Sequence, residues 1–212
     1  QPRVQTVKHL AGSDTVAILQ PAFSPDGRYL SYLQNLDEWD QLVVLDLETG
    51  EKKTIVENAA LLKPAWVQGV VVQVWSTGSD CIFFLQTKEG ITHLNQVDIS
   101  TGNITQIDLE KYTSLLQPSV NPQGQVAMVA SGPSISARVI SITDSRDITI
   151  HQRSTSEAIS LEDLPNPYEI HWTAPNGEKV YGIYSPPASG RFYADGLPPV
   201  IVNIHGGPTS SV

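Results

Sequence analysis

Cysteine is almost absent from this 212-residue chain: Cys81 stands alone. One thiol excludes an intrachain disulfide and any cysteine-based zinc cluster. It sits in the apolar run Asp80-Cys-Ile-Phe-Phe-Leu-Gln86, which reads as a plain buried thiol. Long apolar runs are missing too. No stretch reaches the length that a membrane-spanning helix needs, so none is expected. Basic residues are few: 13 Lys and Arg stand against 22 Asp and Glu, giving a formal charge of −9. No basic stripe is present to neutralise phosphates, which argues against nucleic acid or an anionic membrane as partner. The first residues, Gln1 to Asp14, show no signal-peptide pattern and no starting Met. A cytoplasmic location is the expectation. Helical periodicity is lacking as well, since no window sustains apolar residues at i, i+3, i+4 and i+7.

What the chain does have is turns and repeats. Gly and Pro number 15 each. Three stretches line up: Pro21-Ala-Phe-Ser-Pro-Asp-Gly27, Pro64-Ala-Trp-Val-Gln-Gly69 and Pro118-Ser-Val-Asn-Pro-Gln-Gly124. Each precedes a β-rich run, at 28–34, 70–77 and 125–131. A second signature recurs at Asp46-Leu-Glu-Thr-Gly50 and Asp98-Ile-Ser-Thr-Gly102, with a degraded third copy at 141–150. Proline fixes φ and glycine supplies positive φ, so both signatures are tight turns between strands. Each unit then holds about four short strands in roughly 45 residues, the size of one β-propeller blade. The predicted blades are 14–57, 58–112 and 113–157, a partial propeller over 1–157. Residues 1–13 are read as the last strand of a preceding blade.

The grammar changes after that. Residues 158–167 are read as a linker. Strand 168–174 turns through Pro175-Asn176-Gly177-Glu178 and returns over 178–185. Asn-Gly is the strongest short hairpin signal. Residues 186–197 read as a loop. Val200, Ile201, Val202 and Ile204 then read as a buried strand over 199–205, running into His205-Gly206-Gly207-Pro208. The fold class expected is mainly β, with about three propeller blades followed by the first strands of an α/β-hydrolase domain over 168–212.

The run Pro21 to Leu33 with Asp40 to Ile55 resembles the propeller repeat of TolB-like proteins and of the prolyl oligopeptidase family. The combination with the 168–185 hairpin and Pro199-Val-Ile-Val-Asn-Ile-His-Gly-Gly-Pro208 is similar to the prolyl oligopeptidase family of serine peptidases, in its acylaminoacyl-peptidase and dipeptidyl-aminopeptidase branch. That resemblance implies hydrolysis of short peptides by a Ser-His-Asp triad, with the propeller as a gate. It also implies that Gly206 and Gly207 form the oxyanion loop, with His205 and Pro208 structural. A Cβ there would block approach to the oxyanion. The family's nucleophile sits in a Gly-x-Ser-x-Gly elbow after His-Gly-Gly-Pro. No such elbow occurs in the chain: Gly132-Pro-Ser-Ile-Ser136 has serine at the second glycine position. No catalytic residue is therefore assigned within 1–212, and the triad is expected beyond Val212. Ser210 and Ser211 lack an elbow and a base, so neither is read as a nucleophile.

Other clusters receive plainer readings. Asp37, Glu38 and Asp40 around Trp39 are read as a solvated hairpin tip rather than a site for a substrate amine. His9, His93, His151 and His171 are scattered, and no metal site or cofactor is expected. Trp66, Trp75, Phe83 and Phe84 are read as packing between blades. Strands after 157 would lack covering helices, so association into homo-oligomers or poor order is expected there. The alternative is a non-catalytic propeller that binds a partner. Residues 168–208 discriminate, because a binding propeller has no need of them.

Overall fold

The computed structural model describes residues 6–36, 39–61, 69–143 and 146–204. Twelve strands form three four-stranded antiparallel sheets, each in simple sequence order. The first holds β1 (Ile18–Phe23), β2 (Tyr29–Leu36), β3 (Trp39–Asp46) and β4 (Lys52–Ala59). The second holds β5 (Gln73–Trp75), β6 (Cys81–Lys88), β7 (Ile91–Asp98) and β8 (Ile104–Ile107). The third holds β9 (Ser114–Val120), β10 (Val126–Gly132), β11 (Ile135–Ile142) and β12 (Ile148–Arg153). Strand β1 lies beside β5, and β5 beside β9. The sheets therefore fan out from their first strands, as propeller blades do. Among the described residues no α-helix occurs.

The turns explain the strands. Asp46 Oδ1 accepts from the backbone N–H groups of Glu48 (2.9 Å) and Thr49 (3.0 Å), and Gly50 follows at φ 76°. Asp98 repeats the device: its Oδ1 accepts from Thr101 N (2.7 Å), with Gly102 also at φ 76°. The aspartate side chain mimics a turn carbonyl and the glycine takes the left-handed residue without a Cβ clash. The turn between first and second strands is built the same way in each sheet. Ser24 Oγ accepts from Tyr29 N (2.9 Å), Ser76 Oγ from Cys81 N (3.1 Å), and Asn121 Oδ1 from Gln125 N (2.9 Å).

This corrects the repeat register read at Pro64–Gly69. The second-sheet counterpart of Ser24-Pro-Asp-Gly27 is Ser76–Asp80, not 64–69. The run at 70–77 is accordingly split between the innermost strand β5 and that turn. Gln73 stands where the other sheets carry Pro21 and Pro118. β1, β5 and β9 each lie at the edge of their sheet, where proline's missing N–H is tolerated.

One core runs through all three sheets. Leu33 and Leu42 from the first meet Phe84, Ile82 and Leu94 from the second, and Leu115, Met128 and Ile140 from the third. Trp75 packs at the first interface as expected: its indole N–H donates to Ser31 Oγ (2.9 Å), and its ring stacks on Tyr29 at 6.0 Å. Phe83, Phe84 and Cys81 are buried too. Burial pushes the Cys81 thiol pKa up, so it remains protonated and unreactive. Trp66 lies outside the described residues.

The strand expected over 1–13 is not formed over 6–12, and residues 1–5 lie outside the described residues. A strand needs a neighbouring edge to pair with. Here Leu10 and Ala11 instead cover a second small core of Leu30, Tyr32, Val43 and Leu45 on the far face of the first sheet. Strand β2 is thus buried on both faces.

After the third sheet come a short 3-10 turn (Leu161–Asp163) and a two-stranded hairpin of β13 (Tyr168–Thr173) and β14 (Lys179–Tyr184). Residues 185–204 contain no strand. The buried strand expected at 199–205 is not formed over 199–204. Val200, Val202 and Ile204 are exposed, and Ile201 retains 92% of its accessible surface. This run pairs with no other strand, and an apolar strand without a neighbour has nothing to bury it.

Candidate functional site

In an up-and-down antiparallel sheet, alternate turns fall on opposite rims. One rim of the arc carries the side-chain-bonded turns near Ser24, Ser76 and Asn121. The opposite rim carries the tips of β2–β3, β6–β7 and β10–β11, together with the connections between sheets. The β13–β14 hairpin sits on this second rim. A Cβ built on Gly90, at the β6–β7 tip, would lie 3.5 Å from Ile183 Cδ1. The Ile183 side of the hairpin therefore meets this rim.

The residues assigned to the oxyanion loop, His205, Gly206, Gly207 and Pro208, lie outside the described residues, as do Ser210 and Ser211. So do Asp37 and Glu38 at the β2–β3 tip. Their neighbours are described, and they divide. Trp39 is half exposed, as a hairpin tip should be. Asp40 is buried, which overturns its reading as part of a solvated tip. Its carboxylate accepts from Asn35 Nδ2 (2.9 Å) and from the backbone N–H of Leu61 (2.9 Å). Asp40 is a β3 residue directly opposite Asn35, and the chain leaving β4 folds back over it. It is a structural acceptor that ties the inter-sheet connection to the rim.

The histidines do not converge. His151 bonds Ser141 Oγ at 2.7 Å on the third sheet, and His171 lies 6.4 Å from the Tyr181 ring in the hairpin. Among the described residues no group of three or more His, Cys, Asp or Glu is placed to hold a metal ion. A cavity of about 120 Å³ opens where β7 and β8 meet residues 108–115, lined by His93, Asp108, Glu110 and Tyr112. Ligand pockets for drug-sized molecules run to about 300 Å³ or more, so this one is too small for a dipeptide.

Two residues escaped the reading of the sequence. Gln20 and Gln117 both adopt left-handed backbone, at φ 49° and 55°, each just before a proline. Such a conformation is costly for a side-chain-bearing residue and persists only where contacts hold it. Gln20 Oε1 accepts from Val72 N (2.9 Å). Gln117 Oε1 accepts from Val71 N (2.9 Å), and its Nε2 donates to Gly69 O (2.9 Å). The first and third sheets thus grip the same inner segment of the second. The signal was available: Leu-Gln-Pro precedes both turn motifs, at 19–21 and 116–118.

The chain resembles parts of known proteins in this geometry. No family model matches it. It is 32% identical over 92 residues to Dipeptidyl-peptidase 5 of Porphyromonas gingivalis, a match covering 41% of this chain and 12% of that protein. The fold is similar to part of the crystal structure of puromycin hydrolase, with a TM-score of 0.77 and 23% identity. That match covers 91% of this chain and 29% of the other. A puromycin-hydrolyzing peptidase of Mycobacterium tuberculosis gives a TM-score of 0.74 at 19% identity, covering 86% of this chain and 27% of the other. The chain spans less than a third of each of these proteins. At such identities the structural likeness establishes a β-propeller-like fold.

Proposed function

We propose that this chain is part of a serine peptidase of the prolyl oligopeptidase type. On this reading 1–157 supplies propeller blades and 168–212 opens the α/β-hydrolase domain. The observation that carries the proposal is the order of parts. Three fanned sheets are followed by a hairpin on one rim, then by an apolar run into His205-Gly206-Gly207-Pro208. The 92-residue likeness to a dipeptidyl-peptidase supports it.

The chemistry would divide between this chain and the rest of the protein. A serine elsewhere attacks the peptide carbonyl while a histidine takes its proton. The histidine then protonates the leaving amine, and water completes hydrolysis by the reverse steps. Backbone N–H groups at Gly206 and Gly207 would donate to the oxyanion as charge develops. One such donor contributes about 3 kcal/mol to the transition state. The rim carrying Trp39, Gly90 and the β10–β11 tip would face the site and limit substrates to short peptides.

The test is kinetic, on the full-length natural protein. Gly207→Val should lower kcat on a dipeptidyl anilide by about a hundredfold or more, with KM little changed. An unchanged kcat would remove Gly207 from the oxyanion loop.

A further inference from the structure

Residues 158–167 are read as a linker, yet they and the four residues before them are tied down at several separate points. Ser154 N donates to Ala137 O at 2.9 Å. The Glu157 carboxylate accepts from the Arg138 guanidinium, from Ser136 Oγ (2.7 Å) and from Arg153 Nε (3.1 Å). The Arg138 side chain is only 6% exposed, and its guanidinium lies 5.9 Å from the Tyr112 ring centroid. A cation buried to that degree needs its anion, because releasing Glu157 would leave the charge uncompensated. Glu157 is accordingly held in left-handed backbone at φ 52°. Eight residues on, Ser134 Oγ at the β10–β11 tip donates to Pro165 O (3.2 Å).

The second anchor is Asp163. Ser160 Oγ caps the short turn by accepting from Glu162 N. This presents the Asp163 carboxylate to the loop after β14. It accepts from Ser189 Oγ (3.1 Å), Gly190 N (3.1 Å) and Arg191 Nη2 (3.2 Å). Gly190 comes so close to the Glu162 side chain that a Cβ would collide with it. Both ends of the hairpin are therefore fastened to one short segment, and that segment is fastened to the third sheet.

We infer that residues 154–167 are a strut that fixes the β13–β14 hairpin over the rim, not a tether that lets it swing. Glu157 joins the strut to the sheet, and Asp163 joins it to the loop after the hairpin. The inference stands on these contacts and does not depend on the peptidase reading. Its consequence is mechanical. A gap between hairpin and rim opens only when one of the two anchors is released.

Spin labels at Gln123→Cys on the third sheet and Glu169→Cys on the hairpin read the strut directly, with the buried Cys81 left in place. Pulsed electron resonance on the chain should give one narrow distance distribution. Glu157→Ala and Asp163→Asn should each broaden it. Asp163→Asn touches no residue of the sheets, so it serves if Glu157→Ala disrupts the third sheet. Cleavage by thermolysin within 158–166 should quicken about tenfold in either variant, as local opening becomes easier. A broad distribution in the unaltered protein would overturn the strut, as would distributions unchanged by both substitutions.

Discussion

Two hairpins in this molecule share a grammar and differ in fate. β6–β7 and β13–β14 are both tight antiparallel pairs, and each has a glycine at positive φ in its turn, Gly90 at 78° and Gly177 at 88°. Both are rich in aromatic and branched residues. Yet β6 is buried over Cys81–Leu85, whereas every residue of β13 is exposed. The difference is not in the strands. Sheets flank β6–β7 on both sides, so Phe84 and Leu94 contact neighbours above and below. Among the described residues β13–β14 forms a two-stranded sheet with no further strand beside it. Local propensity makes a hairpin; a second layer makes a core.

The largest expected effect tests that contrast. Phe84→Ala should destabilise the chain by about 3–5 kcal/mol in urea unfolding, by removing a large side chain that the sheets cannot close over. Trp172→Ala, at a half-exposed hairpin position, should cost about 1 kcal/mol or less. Similar losses at both sites would break the comparison.

A smaller effect sharpens it. Gln117→Ala removes the acceptor for Val71 N and the donor to Gly69 O. The expected loss is about 1–2 kcal/mol, read in the same unfolding experiment, with faster hydrogen exchange at the Val71 amide. An unchanged Val71 amide would mean that the grip between sheets is incidental.

The smallest effect lies in the turns. Hydrogen bonds from Ser100 and from the backbone and hydroxyl of Thr101 hold the Asp98 carboxyl at a pKa of about 2, below its ordinary 3.8. A lowered folded pKa stabilises the fold above the unfolded value. That contribution falls away as pH drops through 3.8 towards 2. Carboxyl NMR should show Asp98 titrating near the lower value, and Asp98→Asn should flatten this part of the acid limb. Titration at the ordinary value would show that the turn bonds are absent in solution.

These residues also show what a sequence exposes. The Asp-x-x-Thr-Gly turns were legible because one side chain and one glycine specify them locally. So were the alternating strands and the Asn176-Gly177 hairpin. The second sheet's inner strand was misplaced because its turn, Ser76–Asp80, has no proline, while Pro64–Gly69 imitates one. The grips of Gln20 and Gln117, the burial of Asp40 and the ion pair of Arg138 with Glu157 join residues far apart in the chain or fold the backbone over them, and no local pattern announces that. At 199–204 the apolar run was legible, but burying it requires neighbours that these residues do not find. The candidate oxyanion loop, 205–208, lies outside the described residues and rests on its motif.

Labelling with a fluorophosphonate probe tests the central claim most directly, applied in parallel to residues 1–212 and to the full-length natural protein. The account predicts covalent labelling of the full-length protein on a serine outside 1–212, and none on the 212-residue chain. A labelled serine within 1–212, or a full-length protein that takes no label while binding short peptides, would contradict it.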